Sequence, residues 1–288
     1  MDLGIAGRNA IVCASSRGLG KGCAQALAQN GVNVVINGRD AEVTQATADQ
    51  IRADSGVEVT PVIADVSTPE GQKALLEACP QADILVNNNG GPPFCDFRDL
   101  DREGMQEGMT MNFVTPIELA QAVIDGMIER QFGRIVNITS VTVKRPVFGL
   151  DLSSGARAGL TAFMAGVARS VAQHNVTINH ILPGFIDTDR LRGGLAFIAQ
   201  KNNVSVEDAA ADQISQVPAE RFGNPSEFGQ ACAFLCSQHA GYITGHSMLI
   251  DGGLFESNFW PHVGGAGCQR TDSGNRPGEP GRCGRRFR

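Results

Sequence analysis

Apolar residues fall along this chain in short runs separated by longer stretches of helical spacing. Arg8–Ala14, Val32–Ile36, Val57–Ile63, Ala82–Val86, Arg134–Ile138, Val176–Leu182 and Ser247–Ile250 read as strands. Most of them are continuous apolar runs, as expected of strands covered on both faces. Between them, 18–30, 41–53, 105–131, 153–173 and 228–237 repeat apolar positions every three to four residues, which predicts helices. Alternating strands and helices predict an α/β fold: one doubly wound (Rossmann) parallel sheet with right-handed crossovers. The longest interruption, 187–218, is expected to form a helical flap over a site.

Composition bounds the picture. The chain has 288 residues, 42% of them hydrophobic, and a formal charge of −6. That size suits one large domain, and the acidic balance points away from nucleic acid. No apolar run is long enough to span a membrane and no leader is visible, so a soluble cytoplasmic protein is expected. The eight cysteines show no paired metal-ligand spacing; Cys232 and Cys236 are expected to be buried thiols, and no metal site is expected. From about Pro261 the chain is rich in Gly and Pro and carries six arginines against Asp272 and Glu279. We expect a domain over 1–256 and a disordered basic tail over 257–288.

The first strand runs into Ser15-Ser16-Arg17-Gly18-Leu19-Gly20, which opens a helix. Glycines there let backbone approach a pyrophosphate, and a helix N-terminus offers free N–H groups and positive potential. Taken with this loop, the chain resembles a short-chain dehydrogenase/reductase over about residues 5–256, in the subgroup similar to β-ketoacyl carrier-protein reductases. Cys13-Ala14 stand where that family has Thr-Gly, and Ala14 is expected to keep a negative φ. Further resemblances follow in the family's order: Asp65-Val66 at the adenine, Asn88-Asn89-Gly90 after the fourth strand, Pro183-Gly184 with Ile186 and Thr188 as a nicotinamide clamp, and Ile250-Asp251-Gly252-Gly253 near the end. At the end of the second strand, Asn37, Arg39 and the nearby Arg17 favour NADP over NAD, with Asp40 expected to cap the next helix.

The resemblance implies Asn112, Ser140 and a Tyr/Lys pair four residues apart. The Tyr slot holds Ser153 and the Lys slot Arg157; the only tyrosine is Tyr242. Arg157 can bond a ribose and hold charge but cannot readily yield a proton, and Ser153 is a far weaker acid than a phenol. Pro116 lacks the N–H that would bond the Asn112 carbonyl, freeing it for a water or simply kinking the helix. Lys144 is a candidate proton donor or anchor for an anionic substrate, although a solvated loop lysine is the simpler expectation. His174 and His180 are expected to flank the sixth strand in structural roles. The reading is an NADP(H)-dependent oxidoreductase for a small carbonyl/alcohol pair. The alternative is a dinucleotide-binding sensor or partner protein with little catalysis. The resemblance implies a homotetramer or homodimer.

Overall fold

A computed structural model describes residues 1–147 and 149–256. The expected disorder of 257–288 lies outside the described residues. Seven parallel strands form one sheet in the order β3-β2-β1-β4-β5-β6-β7. They are β1 (Asn9–Val12), β2 (Asn33–Gly38), β3 (Val59–Ile63), β4 (Ile84–Asn87), β5 (Gly133–Ile138), β6 (Val176–Pro183) and β7 (Ser247–Ile250). Strand order reverses between β1 and β4, the switch point at whose carboxyl edge such sheets bind ligands.

Side chains alternate across this sheet. Val12, Val34, Ile36, Val86 and Val136 face one core, packed on α1 (Gly18–Gln29) and α9 (Pro225–Cys236). Ile11, Val35, Leu85, Ile135 and Ile178 face the other, packed on α3 (Pro69–Ala78), α5 (Thr115–Glu129) and α6 (Asp151–Val171). Both faces are therefore covered, which is why the strands read as unbroken apolar runs. Cys23, Cys232 and Cys236 are buried in the first of these cores as free thiols.

Local chemistry sets the helix starts. Asp40 caps α2 (Ala41–Ser55) by accepting from Val43 N. Thr68 caps α3 and Pro69 begins it, a signal the periodicity alone did not reveal. Asn224 and Glu227 form a reciprocal capping box on α9. Glycines let α1 and α9 touch through their backbones: a Cβ at Gly229 would run into the Gly22 carbonyl, and one at Gly22 into the Pro225 carbonyl.

The long helix expected over 105–131 is divided. α4 (Arg102–Met109) passes through a π-helical turn, Thr110–Val114, into α5. Pro116 is the cause. In the wider register its missing N–H faces the Met111 carbonyl, which accepts from Asn89 Nδ2 instead (3.2 Å). The expected flap is helical, as α7 (Asp189–Asn202) and α8 (Val206–Ser215). His180 lies within β6 rather than beside it. It is fully buried with neither ring nitrogen partnered, and burial pulls its pKa down to about 4.

Candidate active site

The loop after β1 is fastened from below. Asn37 is buried and turned inward: its Oδ1 accepts from Ala14 N (3.1 Å), and its Nδ2 donates to Ala64 O (2.9 Å). Ser15 was expected to touch the cofactor, but its hydroxyl points into the core. It donates to Val12 O (2.6 Å) and accepts from Asn37 N (3.0 Å), so it shapes the loop. Ala14 has a φ of 43°, not the negative value expected. The Asn37 and Asn88 bonds to its N–H and carbonyl hold it there against the usual cost of a left-handed alanine. Asn88 Nδ2 donates to Ala14 O at 3.0 Å, and a Cβ at Gly20 would crowd both atoms.

This loop fits an anionic dinucleotide. Arg17 occupies the N-cap of α1 with extended backbone and no side-chain cap, which leaves the first-turn N–H groups for a ligand. Gly18, at a φ of 56°, lies against Thr188, which caps α7, so phosphate loop and clamp loop close on one another. Beyond β2, Arg17 pairs with Asp40 (3.1 Å) and Arg39 with Asp65 (3.6 Å), all exposed. Asp40 already serves the α2 cap. Asp65 also accepts from Ser67 N (2.9 Å), and Val66 is buried beside it.

Along the carboxyl edge of β4, β5 and β6 opens a cavity of about 580 Å³. Leu19, Asn88, Ser140, Ser153, Arg157, Pro183, Gly184, Ile186 and Thr188 all line it. Ser153 and Arg157 sit one turn apart on α6, so they share a face. Arg157 Nε donates to Ser153 Oγ (3.2 Å) and its Nη1 to Ile138 O (2.6 Å). Burial first, then the nearby Arg190 cation, pulls Arg157 down to about 10, still protonated at neutral pH. Ser140 Oγ accepts from Thr142 N (3.1 Å) and turns the chain away from β5.

Behind Arg157 lies a second chamber of about 20 Å³, lined by Asn87, Asn112, Thr115, Asn137 and Arg157 among others. Asn112 donates to Gly90 O (3.4 Å), while its Oδ1, Thr115 Oγ1 and Asn137 Nδ2 are buried without partners. Such a space suits one water with several polar neighbours.

Lys144 is not brought into the cavity. It follows a short 3₁₀ turn (Val141–Val143) that swings it to the surface, with its ammonium 5.7 Å from the Phe255 ring centroid. Ser16 does not line the cavity; its carbonyl accepts from Thr47 Oγ1 (2.9 Å). Tyr242 is 103% exposed and remote from the cavity lining. Arg190, at the start of α7, does line the cavity and was not singled out from the sequence. Its position after the Pro183-Gly184 loop was the available signal.

Comparison with known proteins agrees with the fold. The family described as enoyl-(acyl carrier protein) reductase matches residues 13–255. The 3-oxoacyl-[acyl-carrier-protein] reductase of Vibrio cholerae is 33% identical over 257 residues, covering 88% of this chain and 99% of that one. The crystal structure of L-sorbose reductase from Gluconobacter frateurii, complexed with NADPH and L-sorbose, is 29% identical. It superposes with a TM-score of 0.85, covering 89% of this chain and all of that one. The NADPH-dependent reductase YwfH of bacilysin biosynthesis superposes at 0.82 with 30% identity, covering 87% and 99% of the two chains. By this match in sequence and fold, the chain belongs to the short-chain dehydrogenase/reductase superfamily, within the enoyl-(acyl carrier protein) reductase family.

Proposed function

We propose that this protein is an NADP(H)-dependent oxidoreductase that interconverts a small carbonyl compound and its alcohol. The observation that carries the reading is Ser153 and Arg157 side by side on the wall of the switch-point cavity, hydrogen-bonded at 3.2 Å. The loop Ser16–Gly20, with Asn88, Gly90, Pro183, Gly184, Ile186 and Thr188, would hold the dinucleotide. Arg17 and Arg39 would hold its 2′-phosphate, exchanging their exposed pairs with Asp40 and Asp65 for it. Bound NADPH supplies the hydride.

The chain's residues do the rest. Arg157 Nε occupies an acceptor site on Ser153 Oγ, which leaves the Ser153 proton free to donate to the substrate oxygen, beside Ser140. The Arg157 cation stabilises negative charge as it develops on that oxygen and keeps its own proton. Ser153 lines the open cavity, so solvent reaching it there would return the proton that it gives. Lys144, outside the cavity, has no part in this path.

The alternative, a cofactor-binding sensor without turnover, is favoured by one observation: neither a tyrosine nor a lysine lines the cavity. Titrating NADPH and NADH by fluorescence, then screening ketones, keto acids and acyl thioesters for NADPH oxidation, separates the two. Turnover with NADPH preferred supports the oxidoreductase. Tight binding with no oxidation on any substrate class supports the sensor. Arg39→Ala should weaken NADPH about 10-fold and leave NADH nearly unchanged. The exposed Met105, Met109, Val114 and Phe163 of α4 to α6 form an apolar face suited to a second copy of the chain.

A further inference from the structure

Among the described residues, three arginines and one carboxylate, Asp212, line the 580 Å³ cavity. Arg145 is occupied at Leu254 O (3.3 Å) and Gln216 Oε1 (3.4 Å). The other two approach from opposite walls. Arg157 rises from α6, with Nε and Nη1 committed to Ser153 and Ile138. Arg190 rises from the first turn of α7 and reaches back over the cleft, its Nη1 3.4 Å from Gly91 O.

Among the described residues neither guanidinium forms an ion pair. Arg192, two residues further on the same helix as Arg190, behaves otherwise and pairs with Asp187 at 2.9 Å. The two cations sense one another, because Arg190 is the second cause, after burial, of the fall in the Arg157 pKa. Two like charges facing a shared cavity, neither paired with a carboxylate, carry a free-energy cost that an anion between them lowers. Each also retains unspent N–H donors in a planar fork. The wall beyond them is apolar, with Phe94, Val147, Leu150, Leu191 and Ile198.

We propose that Arg157 and Arg190 together bind a carboxylate of the substrate, so that the compound reduced is a keto acid with an apolar body. The proposal rests on the oxidoreductase reading and gives its substrate class. A planar carboxylate accepts from two guanidinium forks at once, and the apolar wall receives the remainder of the molecule.

The test is a series of α- and β-keto acids, from butanoate to decanoate, against their methyl esters, with NADPH oxidation as the readout. The wild-type protein should favour acid over ester in kcat/KM by about 100-fold. Arg190→Ala should abolish that preference by lowering the rate on acids and sparing the rate on esters. Arg190→Lys should recover part of it. Gly91→Ala, whose methyl would fall 2.6 Å from Arg190 Nη2, should reduce it without removing a charge.

A loss of NADPH affinity in Arg190→Ala with the acid preference intact would place Arg190 on the cofactor and overturn the proposal. Should no carbonyl compound be reduced while NADPH still binds, the oxidoreductase reading fails by itself. The anion site is then judged by hexanoate binding to the NADPH complex: binding lost in Arg190→Ala upholds it, and binding unchanged in the variant, or absent from the wild type, overturns it.

Discussion

At the scale of single residues, the proposed mechanism relies on a hydroxyl, Ser153, and a lasting cation, Arg157, in place of a titrating pair. Arg157 is held down to about 10 by burial and by Arg190, so its charge is full below that pH and is lost as pH rises through it. Turnover should therefore be flat from roughly pH 6 to 9. Arg157→Lys places an ammonium in the same surroundings. Burial and Arg190 push its pKa below the usual lysine value, so the alkaline fall in kcat should move to lower pH, with activity well above that of Arg157→Met. A pH–rate profile of the three proteins checks this, and identical profiles for arginine and lysine would remove the electrostatic role. Ser153 and Arg157 were legible through the family resemblance, whose register places them in the Tyr and Lys slots after Ser140; helical spacing adds only that they share a face. Lys144 was not, since a 3₁₀ turn decides which way it points. Ala14 was misread because the asparagines that impose its positive φ come from β2 and β4, far away in sequence.

At the scale of elements, strands were easier to read than helix starts. Strand positions and coverage follow from apolar runs, whereas α3 begins on a Thr-Pro cap with a mixed pattern behind it. The π turn was half legible: Pro116 announced a broken ladder, but only the fold brings Asn89 to the Met111 carbonyl. The α1–α9 contact was invisible, because glycine spacing does not say which backbone will approach. That contact makes a firm prediction. Gly229→Ala drives a methyl into the Gly22 carbonyl and must part the helices. It should cost roughly 1–3 kcal/mol in denaturant unfolding. Since the proposed dinucleotide site includes the N-terminus of α1, NADPH affinity should fall with it, which fluorescence titration would show.

At the scale of the whole molecule, the fold class was predictable, and the surfaces were not. Nothing in periodicity distinguishes Met105, Met109 and Phe163 as exposed from apolar neighbours that are buried. Exposed together, they predict self-association. Sedimentation should find an assembly larger than one chain, and Phe163→Glu should shift it toward the monomer while the isolated fold persists. A monomer at all concentrations for the unaltered protein would dismiss that interface. Tyr242 bears on the same question from another side of the molecule. The phenol that the cavity lacks stands alone at the surface, beside the turn that leads into β7. Reagents that iodinate phenols thus meet one target in the entire chain, and it lies outside the cleft. Labelling would not report on chemistry at all; it would count how many copies leave that corner uncovered.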